Sequence, residues 1–125
     1  MEPDQQKVVQ AAVGRVVDAA FRETPVSVID QCRNALTVLM ARWLVQQGEP
    51  ASVLRDDLGV VHKRIRSHPH NLEVASARGH LVARLHSRGK TNEQQAWDLR
   101  IPVEEDAELA VQAVGMVLRE LGWAR

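Results

Sequence analysis

Apolar residues recur every three or four positions along most of the chain, which predicts α-helices. The first helix is predicted over residues 4–23. Its wide apolar stripe comprises Val8, Val9, Ala12, Val13, Val16, Val17, Ala20 and Phe21. Thr24 is the predicted N-cap of a long second helix, with Pro25 at its first position, where a missing N–H costs no hydrogen bond. Gly48 is expected to end this helix.

Two further helices are predicted between residues 52 and 89. One runs over residues 52–66, although Gly59 weakens its interior by about 1 kcal/mol. The next is predicted to begin after an Asn71 cap and to end at Gly89. Its inward-facing residues are predicted to be Leu72, Val74, Leu81, Val82 and Leu85.

A last helix is predicted between Pro102 and Gly122. Its first turn holds three acids that suit the positive end of the helix dipole: Glu104, Glu105 and Asp106. Residues 90–103 show no clear periodicity and are predicted as a loop, with a short strand or a helical turn within "AWDLRIP" as the alternative. With no strand-like alternation, the sequence predicts a single helical domain over residues 1–125, an all-α compact bundle of about five helices with the second at its centre.

Composition narrows the classes of protein that remain. The chain has 125 residues, of which 45% are hydrophobic and 26% charged, as expected for one globular domain. The polar N-terminus and the lack of a long apolar run predict a cytoplasmic protein without a membrane span. Cys32 is the only cysteine and lies among apolar residues at helical spacing, so it is predicted to be a buried thiol. No glycine-rich phosphate loop or dinucleotide fingerprint is present, and no cofactor is predicted.

Charge is distributed unevenly although the formal net charge is zero. From His62 to Lys90 the chain has seven lysines or arginines, one acid and all five histidines, whereas residues 92–120 hold seven acids and two arginines. This division predicts a positive surface for a partner or a nucleic acid. The residues predicted to form it are Lys63, Arg64, Arg66, His80, Arg84, Arg88 and Lys90. The alternative is a solvated face whose cations are paired with acids of the last helix.

Two other polar groups allow more than one interpretation. Ser76, His80, Arg84 and Arg88 are spaced by four, which predicts a polar ridge facing away from the core. Asp30, Arg33 and Asn34 would form either a buried hydrogen-bond network or ordinary surface pairs. The histidines near residues 62–70 lack the spacing and the carboxylates of a zinc site, so no metal site is predicted.

The segment "CRNAL" in an early long helix, the basic "RIRSHPH" and a final apolar helix together resemble the HEPN superfamily and the related abortive-infection C-terminal-like domains of bacteria. The resemblance implies a helical, often dimeric protein. Active members are metal-independent ribonucleases that use an arginine followed after four to six residues by a histidine, and Arg64 and His70 match that spacing. The family usually places this motif at the entrance to the last helix, which here reads "RIPVEEDAE" and contains no histidine.

These observations favour a non-catalytic helical binding module over an enzyme. Its expected partner is a protein, a second copy bound through the first helix, or a nucleic acid, and no membrane contact is expected. The cationic segment contains few aromatic residues, which disfavours recognition by base stacking. The alternatives are a metal-independent HEPN-like ribonuclease with Arg64 and His70 as catalytic residues, and a structural accessory subunit or dimerisation domain.

Overall fold

The computed structural model describes residues 3–70, 72–88 and 101–124. Within these ranges the chain forms five α-helices, one 3-10 helix and no β-strand. The helices are α1 (Pro3–Ala20), α2 (Pro25–Gln46), a 3-10 helix (Ala51–Arg55), α3 (Leu58–Ser67), α4 (Glu73–Arg88) and α5 (Glu104–Glu120). The predicted all-α bundle is therefore confirmed. None of these helices is both long and apolar enough to cross a lipid bilayer.

Helix α2 forms the centre of the bundle. It packs against α1, α3, α4, α5 and the 3-10 helix, while α1 packs against α2 and α5, and α3 packs against α4. Eight apolar residues at helical spacing form its inner face, and all are buried: Val28, Ile29, Cys32, Leu36, Leu39, Met40, Trp43 and Leu44. Buried apolar residues of all five helices join in one core.

The predicted N-cap of α2 and the predicted glycine stops after α2 and α5 are confirmed. Thr24 Oγ1 accepts a hydrogen bond from the backbone N–H of Ser27 at 3.2 Å, as an N-cap does. Gly48 and Gly122 follow the two helices with φ of 99° and 78°. This left-handed conformation favours glycine and turns the backbone so that the next N–H groups bond to the last free carbonyls of the helix.

The single helix predicted over residues 52–66 is wrong. The chain instead forms the 3-10 helix, extends at Asp56, and begins α3 at Leu58. Asp57 Oδ1 accepts a hydrogen bond from the N–H of Val60 at 3.2 Å, so this side chain caps a new helix instead of lying inside a longer one. The predicted Asn71 cap, the Gly89 stop and most of the predicted loop lie outside the described residues.

The apolar stripe predicted for α1 is wider than the face that is buried. Val9, Ala12 and Val16 are in the core, but Val17 is 61% exposed and Phe21 is 93% exposed. Two geometric reasons explain the difference. Val17 lies about 100° around the helix from the buried Val16, and Phe21 follows the last residue of α1.

The inward face predicted for α4 also needs correction. Val74 is 46% exposed although it was predicted to face inward, and Ser76 is buried although it was predicted to lie on an outward ridge. The buried face of the first half of α4 consists of small residues: Ala75, Ser76 and Gly79. Small side chains allow α4 to approach its neighbours closely, and this contact determines which residues remain exposed.

Candidate functional site

The contact between α3 and α4 positions the polar residues of the candidate site. Ser76 Oγ donates a hydrogen bond to the backbone carbonyl of His62 at 2.8 Å, so the buried hydroxyl is satisfied across the two helices. A Cβ atom on Gly79 would lie 3.0 Å from the Cβ of His62, which shows how closely the backbones approach. The second half of α3 and the first half of α4 therefore border one depression in the surface.

That depression is a cleft of about 470 Å³, which we call the α3/α4 cleft. Its lining residues are His62, Lys63, Arg66, Glu73, Ser76, Ala77 and His80. Within the described ranges, two cations and two histidines thus share the cleft with one carboxylate, Glu73. Three residues of the predicted positive surface, Lys63, Arg66 and His80, are brought together here.

His62 forms the buried wall of the cleft and is 6% exposed. Its ring centroid lies 5.1 Å from that of His80, and its Nδ1 lies 3.5 Å from Ser76 Oγ, at the limit of a hydrogen bond. Burial lowers the pKa of His62 below its usual 6.5, and the nearby His80, Lys63 and Arg66 lower this pKa further. His62 is consequently neutral at pH 7.

The exposed cations of this face lack counter-ions in the part of the chain that the structure describes. Lys63, Arg66 and Arg84 are exposed and form no ion pair with another described residue, not even with the neighbouring Glu73. Pairing with acids of α5, the alternative weighed from the sequence, is not found for these three residues. Their charge remains available to a ligand.

Arg64 lies off the α3/α4 cleft. Its guanidinium is 3.6 Å from Glu49 Oε2 and 3.7 Å from Asp56 Oδ2, carboxylates of the segments before and after the 3-10 helix. His70 is placed elsewhere again, since its ring stacks on His68 with 5.1 Å between centroids and meets the edge of Trp43 at 6.0 Å. Neither residue lines the cleft.

The remaining residues of the predicted surface follow α4 towards its end. Arg84 lies one turn beyond His80 and is exposed, while Arg88 is half-buried at the last position of the helix. Lys90 lies outside the described residues. The structure thus divides the predicted surface into a cleft group, an extension along α4, and Arg64 with its own carboxylates.

A second polar cluster joins α2 to α4. Arg33 Nη2 donates to Asp30 Oδ1 at 3.3 Å and to Asn34 Oδ1 at 2.7 Å, and His86 Nε2 lies 3.1 Å from the same Asp30 oxygen. The network is half-buried. It therefore lies between the two alternatives predicted from the sequence, a buried hydrogen-bond network and ordinary surface pairs. His86 was missed because its partner Asp30 is 56 positions away in the chain.

No group of three or more metal-binding side chains is assembled among the described residues. The buried thiol predicted at Cys32 is confirmed, since its exposed fraction is 0%. Burial raises the pKa of Cys32 to about 12, so the thiolate that nucleophilic chemistry requires is not formed near neutral pH.

Comparison of the chain with protein-family models, with curated proteins and with solved structures gives no match.

Proposed function

We propose that this protein is a non-catalytic helical binding module that holds the phosphate backbone of a nucleic acid in the α3/α4 cleft. The observation that carries the proposal is the convergence of Lys63, Arg66 and His80 on one cleft, where neither Lys63 nor Arg66 forms an ion pair with another described residue. Phosphate oxygens are the acceptors that such donors bind, and each cation placed on a phosphate also releases condensed counter-ions.

The extent of the positive surface fits an elongated ligand better than a single small anion. Arg84 lies four residues after His80, which places it about 6 Å further along α4 on the same face. Among the residues that the structure describes, no aromatic side chain other than the two histidines lines the cleft. We therefore expect contacts to the backbone, with little dependence on base sequence.

The non-catalytic part of the proposal is supported by how Arg64, His70 and His62 are placed. A ribonuclease mechanism needs a histidine that exchanges protons with substrate and a cation that stabilises the charged phosphorane. Arg64 faces Glu49 and Asp56 at ion-pair distances, and His70 is stacked on His68. His62 is buried behind the other cleft residues.

The test is fluorescence anisotropy with labelled single-stranded RNA, single-stranded DNA and duplex DNA over a salt series. We expect the wild-type protein to bind at low salt and Lys63→Ala/Arg66→Ala to bind at least about tenfold more weakly. Losing two phosphate contacts should reduce the slope of log K against log salt by about 1.4 for single strands and about 1.8 for duplex.

The matched control is Lys7→Ala/Arg15→Ala, which removes the same charges from exposed positions of α1. It should bind as the wild type does. Equal loss in both double variants would mean that only overall charge matters, and the absence of binding at low salt would reject a nucleic-acid ligand in favour of a protein partner.

The same oligonucleotides are incubated with the protein in the presence of EDTA and then separated on a denaturing gel. Intact RNA is the expected result. Cleavage would contradict a non-catalytic module, and its loss in Arg64→Ala and His70→Ala would assign it to the residues that the HEPN resemblance implies.

A further inference from the structure

The most exposed large apolar side chain among the described residues lies far along the chain from the α3/α4 cleft. Phe21, the only phenylalanine of the chain, is 93% exposed just after the end of α1. Val17, one turn earlier, is 61% exposed. A large aromatic ring in water next to another exposed apolar residue is typical of an interaction surface.

A groove of about 300 Å³ lies directly beside Phe21, between the corner that joins α1 to α2 and the surface of α5. Its apolar wall comprises Ala20, Val28, Ala107 and Val111. Phe21 lines the edge of this groove, yet its exposure shows that the ring does not fill it. The same face therefore presents a protruding ring and an apolar groove next to each other.

Charges of opposite sign also lie next to each other on this face, as the ring and the groove do. Arg22 follows Phe21 directly, and Glu104 and Glu108 line the groove one turn apart on α5. All three residues are exposed, and none forms an ion pair with another residue of the described ranges. A cation stands beside the ring, and two anions stand beside the groove.

We propose that this face is the interface of a symmetric homodimer, in which Phe21 of each copy fills the groove of the other copy. Arg22 then lies against Glu104 and Glu108 of the second copy, and the same contact is repeated across the two-fold axis. A two-fold interface must be complementary to itself. A ring with a groove, and a cation with acids, meet that requirement within one chain.

A second copy is the occupant that these features favour over an unrelated protein. An unrelated partner would need only the ring with its cation or only the groove with its acids. Both occur here side by side, with opposite charges. This inference does not rest on the nucleic-acid proposal, because the groove involves α1, α2 and α5 and the cleft involves α3 and α4.

Sedimentation velocity of the full chain over a micromolar concentration series tests the proposal. We expect the mass to rise from 14.0 kDa for one chain towards twice that value. Phe21→Ala should raise the dissociation constant at least about tenfold, as expected when an anchoring ring is removed. Val74→Ala, which shortens another exposed apolar residue, should leave dimerisation unchanged.

Charge reversal gives an independent test within the same assay. Arg22→Glu and Glu108→Arg should each weaken the dimer, and the double variant Arg22→Glu/Glu108→Arg should recover much of it because the pair is restored with opposite signs. Circular dichroism should show unchanged helix content in every variant, since all of these positions are exposed. A wild-type protein that stays at 14.0 kDa, or a dimer indifferent to Phe21→Ala, overturns the proposal.

Discussion

Gly79 of α4 lies so close to His62 of α3 that a methyl group added to Gly79 would come within 3.0 Å of the His62 Cβ. The same methyl would lie 2.9 Å from the Cε of Met40, a fully buried side chain of α2. The missing side chain therefore allows α4 to touch α2 and α3 at one point. Because His62 and His80 flank this point, the shape of the α3/α4 cleft depends on it.

We predict that Gly79→Ala destabilises the protein although alanine favours a helix. Overpacking a core typically costs about 1–3 kcal/mol, which exceeds the gain of up to about 1 kcal/mol in helix propensity. Gly14→Ala in α1 is the matched control, since no atom lies within 4 Å of its added methyl. It should raise the free energy of unfolding in urea by up to about 1 kcal/mol. Changes of the same sign in both variants would contradict this account.

The sequence predicted helices well where large apolar residues recur regularly, and poorly where small residues make the contact. The inner face of α2 follows directly from residues such as Leu36, Leu39 and Trp43, all of which are buried. On α4 the contact is made by Ala75, Ser76 and Gly79, whose weak hydropathy gives little indication of a face. Val74, a large apolar residue, is predicted to face inward, and it is 46% exposed.

The candidate site shows a similar division. Cationic character could be predicted from sequence, because Lys63, Arg66 and His80 lie in a region with one acid. Their convergence could not, because it depends on the approach of two helices. The carboxylates beside Arg64 were also missed: Glu49 and Asp56 come from the segments around the 3-10 helix and not from the acidic last third of the chain.

The break before α3 leads to a prediction about Asp57. Asp57→Ala removes the acceptor for the N–H of Val60 and should lower the free energy of unfolding by about 1 kcal/mol. Asp57→Asn retains a capping oxygen and should differ from the wild type by a few tenths of a kcal/mol. Urea denaturation of the two variants measures the difference. An equally large loss in Asp57→Asn would attribute the effect to the negative charge and not to the cap.

The buried position of His62 predicts how stability depends on pH. Its pKa is lowered in the folded protein, whereas the unfolded chain retains the usual value of 6.5. Below pH 6.5 the unfolded chain therefore binds a proton that folded His62 does not. The stability present above that pH is lost as pH falls from 6.5 to the lowered pKa of the folded state, with a slope of at most about 1.4 kcal/mol per pH unit from this residue.

We expect His62→Gln to reduce this dependence of the free energy of unfolding on pH, whatever its effect at pH 7. The readout is the slope between about pH 7 and pH 5.5, obtained from urea denaturation at each pH. His70→Gln is the control because it removes an exposed histidine and should leave most of the slope in place. If the two variants retained equal slopes, another titrating group would account for the loss of stability in acid.

Cys32 gives a measure of global unfolding, because it is the only cysteine and lies in the core at 0% exposure. Burial raises the pKa of this thiol to about 12, so at pH 8 the folded protein presents no accessible thiolate to a disulfide reagent. We predict that labelling by such a reagent is negligible in buffer and rises along the urea transition followed by circular dichroism. Gly79→Ala should label faster than the wild type, and Gly14→Ala more slowly, in proportion to their unfolded fractions. Rapid labelling of the native protein would show that α2 opens locally and would contradict its place at the centre of the core.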